Sequence, residues 1–299
     1  MTISGNVPEH LVVGARTNFL AAMPKIQLPW QKITSTINLD AKSIELVDIG
    51  AAPMPVESKG KTEVQDFIEK ALAINSKPWE ITIGLSYNAL KDDLTGNLDR
   101  KARSAAENFQ RHINNLAFKT LNGGDGSTYG LCYDGLNFFS NSHVDKGADY
   151  QTVQDNLYGL ALTLDNFETV KVAADNFLDD RGEAMGLDYS LLVVSPTLRR
   201  TAAQICGNAN AYDTANHEIN PYAGITDYIV SAKLDTTGWV LVAASENVKP
   251  LILAMREQPS LQSAWFDPKG ADGGMHYFKY YARYNIFYGD WRTAIMGNS

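Results

Sequence analysis

Several places in this chain bring together residue types that could do chemistry. The run Gly123-Gly124-Asp125-Gly126-Ser127-Thr128-Tyr129-Gly130 has the glycine density of a phosphate-cradling loop. Such a loop needs GxxxxGK[ST] between a strand and a helix. This run has no lysine in place and follows a helical pattern, so it reads as turns. Ser142, His143 and Asp145 are nucleophile, base and orienter by type. Adjacency is not triad geometry, and no GxSxG elbow accompanies them. What remains of an enzyme reading is a hydrolase using His143 and nearby acids. His217-Glu218 opens like the HExxH zinc helix, but Ile219, Asn220 and Pro221 follow and the second histidine is absent. His10, His112, His143, His217 and His276 share no ligand spacing, so no metal is expected. Asp92-Asp93 could do acid–base work. Carboxylates just ahead of a helix have a simpler role, stabilising its N-terminus by about 0.3–1 kcal/mol. The aromatic stretch from Tyr277 to Trp291 could stack bases, but few cations lie among its rings, and it reads as sheet core. With no convergent polar cluster and no cofactor motif, the pattern is that of a binding or building protein.

The element that must organise these segments is a helix predicted over 95–121. Leu98, Ala102, Ala105, Ala106, Phe109, Ile113, Leu116, Ala117 and Leu121 recur at steps of three and four, one face of a helix. Arg100, Arg103, Glu107, Gln110, Arg111 and Asn114 take the other face. Arg103–Glu107 and Glu107–Arg111 are spaced to pair, at about 0.3 kcal/mol each. Asn97 is the expected N-cap. Gly123 and Gly124 are expected to stop the helix in the left-handed region. A rod of ~37 Å is about twice the usual helix length, and its apolar stripe requires a sheet laid along it.

Bulk properties narrow the class. The 299 residues suffice for one large or two smaller domains, and 44% hydrophobic with 20% charged residues is an ordinary globular composition. No apolar run approaches the ~18 residues of a membrane span. The MTISGNVPEH start lacks the basic and apolar regions of a secretory signal, so none is expected. Cys132 and Cys206 form neither a disulfide framework nor a CxxC, which fits a reducing cytoplasm. A net charge of −8 argues against a dedicated nucleic-acid binder. The long helix is the exception, with Arg100, Lys101, Arg103, Arg111 and Lys119 against Asp99 and Glu107.

In chain order, residues 1 to about 30 read as an arm with a short helix that packs on something else, including another chain. Strands are expected over 30–49, then a proline break at Pro53 and Pro55. A short amphipathic helix over 62–74 uses Val64, Phe67, Ile68, Ala71 and Leu72. Trp79, Ile81, Ile83, Leu85 and Tyr87 alternate with polar or small residues as a half-buried strand. This extended flap has too little core to stand alone and must lie on a neighbour. After the glycine-rich loop, Asp165 with Glu168 is read as capping a helix whose buried face is Phe167, Val170, Ala174, Phe177 and Leu178. Tyr189–Val194 reads as a central strand, and Ser195-Pro196 starts a helix cored by Leu198, Ala202 and Ile205. Strands are expected over 225–230, 239–243 and 251–254, and again through 275–291. The class is α+β.

Two segments, KPWEITIGLSYNALKDDLTGNL (77–98) and LCYDGLNFFSNSHVD (131–145), are similar to the Mu-like major head subunit (gpT) family of tailed phages. SPTLRRTAAQI (195–205) and YFKYYARYNIFYGDWR (277–292) are also similar. The resemblance covers most of the chain from about Trp30. It implies the Hong Kong 97-type capsid fold, shared with encapsulins. The parts implied are an N-terminal arm (1–33), an E-loop (34–94), a P-domain (95–165, spine helix 95–121; return strands 255–299) and an A-domain (166–254). It implies hexamers and pentamers closing an icosahedral phage head around double-stranded DNA, and a place in the virion assembled in the host cytoplasm. Scaffold, portal and possibly decoration proteins are the implied partners, with no membrane. Trp79, Ile81, Ile83, Lys59 and Lys61 then become intersubunit E-loop residues. Arg100, Arg103 and Arg111 become spine-helix residues facing inward or meeting acidic partner residues. An encapsulin-like nanocompartment is the alternative within the same fold.

Overall fold

The computed structural model describes residues 2–4, 8–23, 28–41, 43–49, 69–92, 96–144, 152–179, 181–207, 220–224, 226–235, 237–245, 249–270 and 273–298. In chain order these form β1 (Thr2–Ser4), α1 (Glu9–Ala22), α2 (Trp30–Ile33), β2 (Thr34–Asn38), β3 (Ser43–Ile49), β4 (Glu69–Asn75), β5 (Lys77–Ser86), α3 (Tyr87–Lys91) and α4 (Asn97–Asn122). Then come β6 (Leu157–Tyr158), α5 (Leu164–Asp175), β7 (Leu191–Val194), α6 (Arg199–Gly207), β8 (Asp227–Val230), β9 (Trp239–Val242), β10 (Leu251–Asp267), β11 (Met275–Tyr288) and β12 (Ala294–Gly297). No helix among the described residues is long and apolar enough to cross a membrane.

One five-stranded sheet runs β1-β10-β11-β5, with β2 also on the edge of β10; a second runs β6-β12-β9-β7-β8. β10 and β11 form a long antiparallel ribbon, and β5 extends it on the far side of β11. The 26-residue α4, about 39 Å long, lies along this ribbon. Alternation explains the seam. The even-numbered residues Phe278, Tyr280, Ala282, Tyr284, Ile286 and Tyr288 of β11 are all buried in the core shared with α4. The Tyr284 hydroxyl meets His112 Nδ1 at 2.8 Å, and the Tyr288 hydroxyl donates to the Thr120 carbonyl at 2.9 Å. Four strand residues advance ~13 Å and eight helical residues ~12 Å, so strand and helix stay in step.

Several expectations are corrected. Trp30–Ile33 is a helical turn, not a strand. Glu69–Asn75 is a strand, not the end of an amphipathic helix, because it pairs antiparallel with β3 from Ile49↔Glu69 to Ser43↔Asn75. The rest of that expected helix, 62–68, lies outside the described residues. The N-cap of α4 is Gly96, left-handed at φ 68°, and Asn97 Oδ1 instead accepts from Arg100 at 2.7 Å. Gly123 is not left-handed (φ −88°); α4 ends by tightening into a 3-10 turn over Gly123–Asp125. Glycine is needed there for space, since a Cβ on Gly124 would sit 2.7 Å from the Phe139 ring. Thr163, not Asp165, caps α5, its hydroxyl accepting from the Asn166 N–H at 3.2 Å. The strand expected over 251–254 runs on unbroken to Asp267. The arm helix has a seat within its own chain. α1 packs on α4 and β10, with Phe19 stacked 4.6 Å from Tyr280 and edge-on to Phe109 at 6.1 Å.

Among the described residues, the hairpin β3–β4 pairs with no strand of either larger sheet. Its base is held by Ile74, buried with Leu39 and Ala254 on the sheet face opposite α4, and by Asn285, which donates to the Asn75 carbonyl at 3.3 Å.

Candidate functional site

The described part of the loop between α4 and β6 holds a buried polar cluster that faces inward. After the 3-10 turn, the Phe139 N–H donates to the Gly124 carbonyl at 2.8 Å, and Phe138 stacks on Tyr288 at 4.8 Å. His143 is 0% exposed and lies flat on Trp291 at 4.3 Å. Its Nδ1 meets Asp134 Oδ2 at 2.5 Å and its Nε2 meets the Phe138 carbonyl at 3.2 Å. Burial pushes the Asp134 carboxyl up. The His143 hydrogen bond and the Leu136 N–H outweigh it, and the group ends below the ordinary carboxylate range. Asn156, fully buried, joins the loop to the C-terminus: its amide donates to the carbonyls of Phe138 (2.8 Å), Trp291 (3.1 Å) and Ala294 (3.3 Å), and its oxygen accepts from the Ser140 N–H (2.8 Å). Beside it, buried Arg292 donates to the Leu178 carbonyl at 2.9 Å and to the Tyr133 hydroxyl at 2.7 Å.

This geometry overturns the hydrolase reading. Both ring nitrogens of His143 face acceptors, and the Ser142 hydroxyl donates to Asn141 at 2.7 Å rather than to His143. A base with no exposed nitrogen cannot reach a substrate proton. Asp145, Asp93, His217 and Glu218 lie outside the described residues, and Asp92 is exposed at the end of α3. Among the described residues no group of three or more His, Cys, Asp or Glu could hold a metal. Burial pushes the Cys206 thiol up to about 12, with Asp227 adding to it, and burial raises Cys132 well above its ordinary value. Neither is an activated nucleophile. A cleft of ≈ 650 Å³ is lined by Lys32, Cys206, Thr226 and Asp227 among others, and the Lys32–Asp227 ion pair at 2.7 Å spans it. Asp227, the carboxylate among the described residues lining the cleft, is paired with Lys32.

What the molecule offers outward is surface. Arg100, Arg103 and Arg111 are exposed on α4. Arg103 donates to Asn18 of α1 at 3.0 Å instead of pairing with Glu107, whereas Arg111 reaches Glu107 at 3.8 Å. Trp79, Ile81 and Ile83 are not free for a neighbour on the side they use here. Their strand is paired with β11, they pack on the chain's own core, and Trp79 lies 4.2 Å from the His112 ring while donating to the Tyr284 carbonyl at 3.0 Å. Lys59 and Lys61 lie outside the described residues. Sequence reasoning passed over Asp134, Asn156, Trp291 and Arg292. The Asp134-Gly135 turn pair was the one local hint of Asp134.

A chain that buries its polar clusters and spends a long helix and long strands on a scaffold matches known proteins of one kind. A family model described as phage capsid protein matches residues 71–296. The major capsid protein of Escherichia phage Mu is 30% identical over 137 residues, which is 44% of this chain and 43% of the Mu protein; the match therefore spans less than half of that relative's length. A chain of the bacteriophage JBD30 procapsid aligns at TM-score 0.58 and 19% identity, over 97% of this chain and 74% of that one. The JBD30 capsid aligns at TM-score 0.54 and 21% identity, over 73% and 94%. The virus-like particle from Pyrococcus furiosus aligns at 0.51 and 14%, over 96% and 98%. The fold is the Hong Kong 97-type, and the family match covers most of the chain from the end of the hairpin to the last strand. This protein belongs to the phage capsid protein family.

Proposed function

We propose that this chain is the major head subunit of a Mu-like tailed phage, assembling into hexamers and pentamers of an icosahedral shell around double-stranded DNA. The observation that carries this reading is the family match over 71–296 joined to 30% identity with the Mu major capsid protein. Physical support comes from the hairpin β3–β4. A two-stranded ribbon is marginal in water, and among the described residues this one joins no larger sheet. A neighbouring copy would supply one, and many modest contacts of that kind sum to a stable shell.

In this reading residues 1–33 are the arm, 95–165 with 255–299 the P-domain, and 166–254 the A-domain. The E-loop, 34–94, would have the hairpin β3–β4 as its projecting part, while β2 and β5 pair with the β10–β11 ribbon. The role is structural, not catalytic. Scaffold, portal and decoration proteins would bind the assembled shell rather than the monomer, and assembly would take place in the host cytoplasm before the subunit enters the virion. A net charge of −8 lets packed DNA slide rather than stick. The encapsulin-like reading shares the fold, but the phage family match favours DNA over enzyme cargo. Electron microscopy of the purified protein, with nuclease-protected DNA measured in heads from infected cells, tests the proposal. Closed icosahedral shells protecting DNA are expected. A monodisperse monomer, or shells filled with protein cargo, would refute it.

A further inference from the structure

The two sides of the β10–β11 ribbon carry charge differently. On the face away from α4, cations meet carboxylates: Lys279 reaches Glu80 at 2.5 Å and Arg283 reaches Glu257 at 3.5 Å. The hairpin β3–β4 is rooted on that same face, through Ile74 against Ala254. On the other side, the outward stripe of α4 is cationic. At about 100° per residue, Arg100, Lys101, Ser104, Glu107, Asn108 and Arg111 fall within about a third of the helix circumference. They stand opposite the buried Ala102, Phe109 and Ile113, and all six are exposed. Glu107 is the carboxylate of the stripe, and it already faces Arg111 at 3.8 Å. Asp99, the other carboxylate of α4, is partly buried and acts on Tyr280 instead. Lys101 touches the Gly84 carbonyl at 3.4 Å, and Arg103, bordering the stripe on the α1 side, touches Asn18 at 3.0 Å. Neutral partners of this kind orient a cation without cancelling its charge.

We infer that this stripe is the lumenal side of the subunit, where Arg100, Lys101 and Arg111, with Ser104 and Asn108, take phosphate oxygens of the enclosed duplex without reading its sequence. The inference rests on the head-subunit reading above and adds which face turns inward. Composition selects the partner. A protein interface is built round an apolar or aromatic centre and is poor in lysine. Between Arg100 and Asn115 the stripe carries no apolar residue. Arginine, lysine, serine and asparagine are the side chains that hold phosphate oxygens, and they are the ones placed here. The hairpin supports the orientation. Rooted on the far face of the ribbon, it reaches neighbours on that side and leaves the α4 side open to the lumen. The net charge of −8 keeps the rest of the subunit from gripping DNA. A stripe of about 16 Å from Arg100 to Arg111 meets only a few phosphates, so each copy holds weakly and the hold sums over the shell.

The test is Arg100→Gln/Lys101→Gln/Arg111→Gln in the full-length chain, with circular dichroism reporting the fold and electron microscopy the shells. Unassembled wild-type subunits should bind a duplex of about 30 base pairs, more weakly as salt rises. The triple variant should lose about one unit of log–log salt slope per cation removed. Its affinity at low salt should fall roughly tenfold or more, equally for unrelated duplex sequences. It should still form shells. Closed wild-type shells made without DNA should ignore added plasmid, because the stripe is inside. Unchanged affinity and slope in the triple variant would overturn the inference. So would plasmid held by closed wild-type shells and released by the triple substitution, which would put the stripe outside. Folded variant subunits that form no shells would overturn it in favour of an acidic protein partner. Failure of the wild-type chain to form shells at all would instead refute the major head subunit reading.

Discussion

The loop over 123–144 and the hairpin β3–β4 are both excursions from the sheets, and the chain treats them oppositely. The loop is sealed into its own subunit. His143, Asp134 and Asn156 are buried, Trp291 covers His143, and the glycine at 124 lets Phe139 close over the end of α4. Among the described side chains, the hairpin is tied at its base, through Ile74 and the Asn285–Asn75 hydrogen bond. A buried polar network with its groups paired fixes one conformation. A ribbon without a sheet partner keeps its backbone edges available. The contrast separates what this subunit needs to fold from what it keeps for assembly.

The contrast breaks most visibly if the hairpin is removed. Replacing residues 44–74 with a short Gly-Ser linker should abolish shells while shifting the thermal midpoint of the soluble subunit by only a few degrees. Sedimentation velocity and a melting curve on the same sample decide it. A large loss of subunit stability would mean that the hairpin belongs to the fold and not to the interface.

Next in size are the two partners of the buried pair. His143→Ala or Asp134→Ala leaves the other group buried without its counterpart, at a cost of about 3–5 kcal/mol. Urea unfolding measures this, and a loss below about 1 kcal/mol would show that the loop is not held by the pair. The pair also predicts a pH dependence. The folded-state pKa of Asp134 lies below its unfolded value, so its contribution is complete above the ordinary carboxylate range of ~3.9. It fades as pH falls through the lower folded value. Asp134→Asn should therefore flatten the stability curve below about pH 4, and cost most at neutral pH.

The unequal treatment of the two excursions also explains what could be read from sequence. The stripe from Leu98 to Leu121 and the alternation from Trp79 to Leu85 are periodic, and periodicity survives without knowledge of neighbours. Ala71-Leu72-Ala73-Ile74 leans towards helix on local propensity, because alanine is the best helix former and is depleted in strands. Only pairing with Ser43–Ile49 settles it as β4. The caps slipped by one or two residues because backbone conformation at Gly96 and the Thr163 hydroxyl won over the nearer Asn97 and Asp165. The buried cluster was illegible for a different reason. Asn156 earns its hydrogen bonds from Trp291 and Ala294, more than 130 positions away, and no local pattern reports that distance.

The smallest effects come from one substitution made at two glycines, and they carry opposite signs. At Gly124 a methyl group would press on the Phe139 ring at 2.7 Å and on Phe138 at 3.3 Å, so Gly124→Ala should destabilise by about 1–3 kcal/mol. Gly14 lies inside α1, and a Cβ there meets nothing within 4 Å. Gly14→Ala removes backbone freedom from the unfolded chain and favours the helix, so it should stabilise by about 0.5–1 kcal/mol. Parallel denaturation of the two variants sharpens the comparison between regions. A loss at Gly124 with a gain at Gly14 means that the loop is packed to its limit while the arm helix presents an open surface. Equal losses would mean that α1 is crowded on its outer side as well.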